Sequence, residues 1–298
     1  MTLTIEQAIN LIAEWHGKTI LIEPVSGGIT NQTFKVIVDK KPYIVSIAGN
    51  TSHLLGINRV HKFNNNKICE KNGLSPKVIH FLESEGVLIS EFISFPILSI
   101  KKLHQSEVQE RLIRILKKLH SGNDFYKEFD MFCLIKHYQE IVREKEIKLP
   151  ADYENYQPQI NTIGTVLNSY RTELVPCHND LTPENILYDG QEMFIIDFDY
   201  SGQNDPCFEL ANLCIEAKFN DTMTKNLVRA YYGHDSREII SRVYLHGILC
   251  DVGWSLWAFI QARIANADFD FKSYGLKRWK KAVKKLETGE YVRYLRYI

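Results

Sequence analysis

The spacing of hydrophobic residues changes along the chain, from strand-like in the first third to helical afterwards. Thr4 begins a capping box that predicts a first short helix. Short β-branched runs then follow at 21–25, 33–38 and 43–47, separated by turn residues as in an antiparallel meander. A helical repeat at 57–72 and two more strand-like runs, at 78–82 and 87–90, complete this region. From Pro96 onward the periodicity is mainly helical, with short strands and loops expected only at 175–198.

This order of elements predicts an α+β protein with two lobes. We expect a small β-rich lobe over residues 1–92, a larger α-helical lobe over residues 93–298, and a hinge near 91–96. The most apolar long stretch, 243–262, contains His246, Asp251 and Gln261, so it is predicted to be a buried helix rather than a membrane span. The acidic first fifteen residues do not fit a signal peptide.

Composition excludes some classes of function. Lys and Arg total 36, as do Asp and Glu, so the formal net charge is 0, which argues against a general nucleic-acid binder. The basic run at 277–281 is predicted to be a solvated helix face. The 6 cysteines form no C-x-x-C pair and lie mostly in apolar runs, as expected of buried thiols in a reducing compartment. We therefore expect a cytoplasmic protein.

The most informative segment lies at 177–199. His178, Asp180 and Asn185 have the spacing of a kinase catalytic loop, with Asn179 in place of the usual arginine, and Asp197 follows as the first residue of a D-F-G-like element. In phosphoryl transfer, one carboxylate orients the attacking hydroxyl while an amide oxygen and a second carboxylate hold Mg²⁺. We predict that Asp180 is the carboxylate that orients the hydroxyl, and that Asn185 and Asp197 are the metal ligands. The alternative is an ordinary polar turn.

A glycine-rich segment lies between the first two predicted strands. Two glycines let a backbone approach phosphates closely, and short polar side chains beside them can donate hydrogen bonds. Alone, the pattern is more often a hairpin turn, but a kinase requires a glycine-rich loop at this position. The predicted nucleotide-binding residues of this segment are Ser26, Gly27, Gly28, Thr30 and Asn31.

Over nearly its whole length the chain resembles a bacterial-type choline/ethanolamine kinase of the aminoglycoside-phosphotransferase-like, protein-kinase-like superfamily. The matching segments are 26–31, 116–121, 178–180, 196–202, 204–206, 209–212 and 254–257. The resemblance implies a two-lobed kinase fold, ATP and Mg²⁺ as cofactors, and transfer of the γ-phosphoryl group to the hydroxyl of choline. Ethanolamine, thiamine or an aminoglycoside as acceptor stays open, as does a pseudokinase that only binds nucleotide or choline.

Aromatic residues late in the chain agree with a choline site. Trp254 and Trp257 are three residues apart on one predicted helix, so both rings share a face. A quaternary ammonium cannot donate hydrogen bonds, so it is held against aromatic faces by cation–π attraction. On spacing alone, a tryptophan pair favours the hydrophobic core, and it is the family resemblance that favours a choline site. The predicted acceptor-binding residues are Asp180, Asp199, Tyr200, Glu216, Trp254, Trp257 and Tyr274.

The chain departs from the family pattern at one ion pair. Related kinases carry a cation on the third strand, where this chain has Ser46, and a glutamate on the next helix, where it has Lys62. We predict that Lys62 replaces the missing strand cation at the phosphates; the alternative is a solvated helix lysine, with Mg²⁺ alone sufficient. The resemblance also implies that the backbone of the hinge residues Glu91 and Ile93 meets the adenine. The expected partner is a small-molecule acceptor, not nucleic acid or a membrane, and a homodimer stays open.

Overall fold

The protein is described by a computed structural model that covers residues 3–25, 31–49, 51–265 and 267–298. The chain divides into two compact units. The first comprises Met1–Leu98 with Glu184–Tyr200, and the second comprises Ser99–Pro183 with Ser201–Ile298.

The first unit is built on a five-stranded antiparallel sheet with the order β1-β2-β3-β5-β4. The meander predicted for its first strands is present. The last two strands form the predicted hairpin, but β5 rather than β4 pairs with β3. The strands are β1 (Ile20–Pro24), β2 (Asn31–Val38), β3 (Lys41–Ala48), β4 (Val78–Leu82) and β5 (Val87–Glu91).

Two helices accompany this sheet. Thr4 caps α1 (Ile5–Asn10) through the predicted capping box, and the buried face of α1 packs against one side of the sheet, around Val45 and Ile89. Helix α2 (Arg59–Lys71) is capped by Asn58, whose side chain accepts a hydrogen bond from His61 N. This cap fixes the direction in which α2 leaves the loop after β3, and it places Lys62 in the first turn.

A hairpin from late in the sequence belongs to the first unit. Strands β7 (Ile186–Tyr188) and β8 (Met193–Ile195) pair antiparallel, after the short β6 (Val175–Cys177) of the second unit. Leu98 N donates to Ile186 O, and Ile195 N donates to Leu74 O. These backbone bonds explain why the first unit extends beyond the predicted boundary at residue 92 and includes Glu184–Tyr200, which the sequence assigned to the second lobe.

The second unit is mainly helical. Its helices are α3 (Ile100–Leu103), α4 (Ser106–His120), α5 (Met131–Glu144), α6 (Gln157–Ser169), α7 (Pro206–Glu216), α8 (Asp221–Tyr232), α9 (Arg237–Ile264), α10 (Phe271–Glu287) and α11 (Glu290–Leu295). Strand β6 pairs with β9 (Gly202–Asn204), the strand that leads into α7.

Helix α9 is the centre of the second unit. It packs against α5, α7 and α10. Among the residues described, it is the one helix long and apolar enough to cross a membrane, and 89% of its most apolar 18-residue stretch is buried inside the protein. The burial of Val243–Gln261 confirms the buried helix predicted for this stretch.

Candidate active site

The predicted catalytic loop lies in the second unit, directly after β6. His178 and Asn179 are fully buried, and Asn179 has a positive φ of 67°. A non-glycine residue holds this conformation only when its surroundings compensate. Here the Asn179 side chain donates towards the carbonyls of Cys177 and Gly202 and accepts from the side-chain amide of Asn204. The loop that carries Asp180 is therefore fixed on both sides.

Glu209 of α7 anchors the backbone of this loop. Its Oε1 accepts from Asn179 N at 2.7 Å, and its Oε2 accepts from His178 N at 3.0 Å. Burial raises the pKa of Glu209, but hydrogen bonds and the nearby His120 outweigh this, so the net shift is downward. A carboxylate in this position stays charged and holds the loop in one conformation.

His120, Cys177 and Glu209 bring metal-ligand atoms within 4.8 Å of one another. The carboxylate oxygens, however, already accept from the loop backbone, and His120 Nε2 lies 2.8 Å from Glu209 Oε2. Burial raises the pKa of the Cys177 thiol well above its usual value. We therefore assign this cluster a structural role in holding the loop.

The two predicted metal ligands lie at one end of the β7–β8 hairpin, in the first unit. Asn185 immediately precedes β7, Asp197 follows β8 by two residues, and Ile196 N donates to Asn185 O at 3.0 Å. Asp197 has a positive φ of 63°, a second non-glycine residue in the left-handed region. An amide and a carboxylate are thus held close together, and their oxygens are the donors that Mg²⁺ prefers.

Lys62 of α2 reaches the same end of the hairpin. Its Nζ lies 3.2 Å from Asp197 Oδ1 and also contacts Asp199 Oδ1. Lys62 is 13% exposed and Asp199 is 6% exposed, whereas Asp197 is 41% exposed. Burial lowers the pKa of Lys62, but the charges of Asp199 and Asp197 outweigh it and the net shift is upward. Lys62 is therefore a charged ammonium.

Asp199 is the buried partner in this group. Burial and the charge of Asp197 raise its pKa, while Lys62 and a hydrogen bond from Asn31 Nδ2 at 2.9 Å act in the opposite direction. Tyr200, the next residue, is also buried, at the end of the first unit. Both residues were predicted to bind the acceptor, and the structure adds that Asp199 is paired with a lysine and an asparagine.

Ser46 and Lys62 line one cavity of the first unit. Asn31, Arg59 and Asp199 also line this cavity. A lysine from the helix therefore reaches the space beside the strand position that normally carries the cation. Glu91 ends β5, and Ile93 follows it in the segment predicted as the hinge. Of the glycine-rich segment, only Asn31 is described; Ser26, Gly27, Gly28 and Thr30 lie outside the described residues.

In the second unit the predicted aromatic residues come together. Trp254 and Trp257 on α9 have ring centroids 6.4 Å apart in an edge-to-face arrangement, and the Trp257 ring lies 6.2 Å from Tyr274 on α10. Trp254 is oriented by a hydrogen bond from its Nε1 to Asn212 Oδ1 of α7. Both tryptophans are nearly buried, at 5% and 9% exposure.

Arg278 links this aromatic group to two carboxylates. Its Nε and Nη2 donate to Tyr274 Oη at 3.0 and 2.9 Å, its Nη1 donates to Asp251 Oδ1 at 3.0 Å, and its Nη2 contacts Glu216 Oε1. The prediction that 277–281 is a solvated face is therefore wrong at Arg278, and it is also wrong at Trp279, which is buried. Arg278 is 3% exposed because it points towards α7 and α9, whereas the lysines beside it face outward.

Sequence reasoning missed the roles of Glu209, Asp251 and Arg278. Each is a charged residue that is fully or almost fully buried. Glu209 and Asp251 lie inside apolar runs, and a buried charge requires a partner, so this placement was a usable signal. It could not have identified the partners, because the contacts join segments that are far apart in the sequence.

Comparisons with known proteins identify relatives of the chain. A sequence model of the family described as Choline/ethanolamine kinase matches residues 22–246. Protein LicA from Haemophilus influenzae is 26% identical over 270 residues, which cover 87% of this chain and 99% of LicA.

Solved structures agree with this assignment. A choline/ethanolamine kinase family protein from Mesorhizobium loti has a TM-score of 0.82 and 29% identity, over 97% of this chain and 96% of that one. A structure of LicA in complex with AMP has a TM-score of 0.79 and 28% identity, over 95% and 96% of the two chains. A spectinomycin phosphotransferase, at 16% identity and a TM-score of 0.64 over 96% and 98%, shares the fold alone. The predicted fold class and the resemblance are thereby confirmed.

Proposed function

The chain belongs to the choline/ethanolamine kinase family, and on that premise we propose that it transfers the γ-phosphoryl group of MgATP to the hydroxyl of choline, giving phosphocholine. It is an ATP-dependent phosphotransferase with an alcohol acceptor. The observation that supports choline as this acceptor is the packed group of Trp254, Trp257 and Tyr274, because aromatic faces attract a quaternary ammonium without hydrogen bonds.

Asp180 acts on the acceptor hydroxyl. Its carboxylate accepts the hydroxyl proton and directs the oxygen towards the phosphorus. Glu209 supports this role by fixing the backbone of the two preceding residues, so that the Asp180 side chain starts from a fixed position. Fixing a reacting group in advance lowers the entropic cost of reaching the transition state.

Asn185 and Asp197 would hold Mg²⁺. They fit this ion because they offer oxygen donors from one rigid hairpin end, and because the carboxylates there already attract a cation, Lys62. When bound, Mg²⁺ neutralises charge on the transferring phosphoryl group. The LicA complex with AMP supports nucleotide binding by this chain.

Lys62 supplies the positive charge that the third strand lacks. Its ammonium lines the same cavity as Ser46, and its long side chain can turn from Asp199 to a phosphate oxygen in that cavity. The developing negative charge on the phosphates is stabilised mainly by fixed charges of this kind. We therefore propose that the phosphates bind in this cavity, next to Lys62.

The product identifies the reaction. Incubation with MgATP and choline, followed by phosphorus NMR, should show phosphocholine and ADP. Asp180→Asn should abolish turnover while nucleotide binding stays largely intact, because the change alters the group that orients the hydroxyl and leaves the metal ligands in place. Unchanged turnover in Asp180→Asn would contradict the proposal.

We also propose that the protein works in the cytoplasm. All six cysteines are free thiols, and five of them are buried, which suits a reducing compartment. Cell fractionation of the native host with an antibody tests this, and recovery in an oxidising compartment would contradict it.

A further inference from the structure

Arg278 is a buried cation that contacts Glu216, one of the carboxylates predicted to bind the acceptor. Its guanidinium contacts Glu216 at the end of α7, Asp251 of α9 and the hydroxyl of Tyr274 on its own helix. Burial lowers its pKa to about 10, and the charge of Asp180 acts against this, so Arg278 is charged at neutral pH. One buried residue thus contacts two residues predicted to bind the acceptor.

The contacts leave the carboxylates around Arg278 neutralised. Asp251 is fully buried and also accepts from Lys285 Nζ at 2.8 Å, so it is paired with two cations. Glu216 is paired with Arg278 itself. An acceptor ammonium that comes close to Glu216 therefore meets a carboxylate whose charge Arg278 already balances.

Primary and quaternary ammonium groups differ in how well they bind beside a paired carboxylate. A primary ammonium has N–H groups that need strong acceptors once water is removed, and a carboxylate already paired with an arginine binds it more weakly than an unpaired one. A quaternary ammonium has no N–H group, and aromatic faces such as those of Trp254 and Trp257 suffice to hold it. Whether Glu216 is paired with Arg278 therefore determines which of the two ammonium groups binds better.

We propose that Arg278 sets the acceptor preference: by holding Glu216 in an ion pair, it makes the pocket select a quaternary ammonium over a primary one. This inference rests on the proposed acceptor site. In this proposal Arg278 is a positioning residue, which holds Glu216 and neutralises its charge.

Calorimetric titration with choline and with ethanolamine tests the proposal on the full chain. The measured quantity is the ratio of the two dissociation constants, ethanolamine over choline. Arg278→Gln frees Glu216 to accept from a primary ammonium, so the ratio should fall about tenfold, the scale of one hydrogen bond to a charged group. Arg278→Gln combined with Glu216→Gln removes the freed carboxylate, so the ratio should return close to the wild-type value. Lys280→Gln, on the exposed face of α10, is the matched control and should leave the ratio unchanged.

A purely structural role for Arg278 gives a different result. Both dissociation constants would then rise together, and their ratio would stay constant in Arg278→Gln. A ratio that falls in the double variant by as much as in Arg278→Gln would also show that Glu216 is not responsible. Either outcome overturns the proposal. If Arg278→Gln does not fold, Arg278→Lys keeps a charge beside Asp251 but cannot contact both carboxylates as a fork does. The ratio should then fall by a smaller factor, and an unchanged ratio there also overturns the proposal.

The binding ratio separates this inference from the proposed function. Phosphocholine production by the wild type tests the function and does not depend on Arg278. If the wild type makes no phosphocholine, the proposed function fails, while the two binding constants still decide the role of Arg278. If phosphocholine forms but the ratio of dissociation constants is the same in the Arg278 variants as in the wild type, only the inference fails.

Discussion

Removal of the Lys62 ammonium tests the least conventional feature of the proposed phosphate site. Its Nζ lies 3.2 Å from Asp197 Oδ1, a distance at which two unit charges attract by about 5 kcal/mol at an effective dielectric constant of about 20. Only the part of such an interaction that grows in the transition state affects the rate. Asp197 is 41% exposed, so solvent weakens the field. We therefore expect the low end of the range for losing one fixed charge, a fall in kcat/KM of about a hundredfold in Lys62→Ala.

The variant also has a structural cost that must be measured separately. Asp199 keeps its hydrogen bond from Asn31 but loses its charged partner, so stability should fall by about 3 kcal/mol, the lower end for breaking a buried ion pair. Steady-state ADP release gives kcat/KM, and thermal denaturation shows whether the protein is folded at the assay temperature. Lys71→Ala, at the exposed end of the same helix, is the control and should change neither quantity.

A rebuilt ion pair makes the test of Lys62 specific. Ser46→Lys with Lys62→Glu places the cation on β3 and the carboxylate on α2, so much of the lost kcat/KM should return. Near-normal activity in Lys62→Ala refutes the reasoning directly. Failure of the rebuilt pair to recover activity, in a folded protein, would show that the position of the cation rather than its presence controls the rate.

Two further predictions concern the second unit. Trp257→Ala should raise KM for choline by a factor equivalent to about 0.5–2 kcal/mol of lost cation–π attraction plus lost packing, with KM for ATP unchanged; initial rates over both substrates check this, and equal effects on both would contradict it. Asp205 accepts a hydrogen bond from Arg242 Nε at 2.8 Å. Burial raises the pKa of Asp205, but His246 and Arg242 bring this pKa well below its usual range. Asp205 should therefore contribute stability that disappears at acid pH. Its contribution is then complete above about pH 4 and falls as the pH drops further, so the melting temperature of Asp205→Asn should depend less on pH than that of the wild type between about pH 2 and pH 4.

The fold was largely predictable because its elements have local signals. The Thr4 capping box begins α1 as expected, and the strand-like runs coincide with β1 to β5 within one or two residues at most ends. The assignment of Glu184–Tyr200 to the first compact unit was not predictable. It depends on backbone bonds such as that from Ile195 N to Leu74 O, which join residues far apart in sequence and leave no local pattern.

The candidate site also contains residues that the sequence could predict and residues that it could not. The spacing of Asp180, Asn185 and Asp197 reflects one loop and one hairpin, so a short motif carries the information. Arg278 lies in a run of lysines that looks like a solvated face, and only the packing of α10 against α9 turns it inward. The contact of Lys62 with Asp197 and Asp199 likewise joins a helix to a distant hairpin, although the charge swap with Ser46 did point to Lys62.

ADP release in the presence of MgATP and a panel of acceptors tests the central claim most directly. The panel contains choline, ethanolamine, thiamine and an aminoglycoside, each compared with a reaction that has no acceptor. The account predicts that choline gives the highest kcat/KM, that ethanolamine is a poorer substrate, and that ADP forms in a one-to-one ratio with phosphocholine. A higher kcat/KM for another acceptor would contradict the choice of choline, and no acceptor-dependent ADP release from any of them would contradict the assignment as a working kinase.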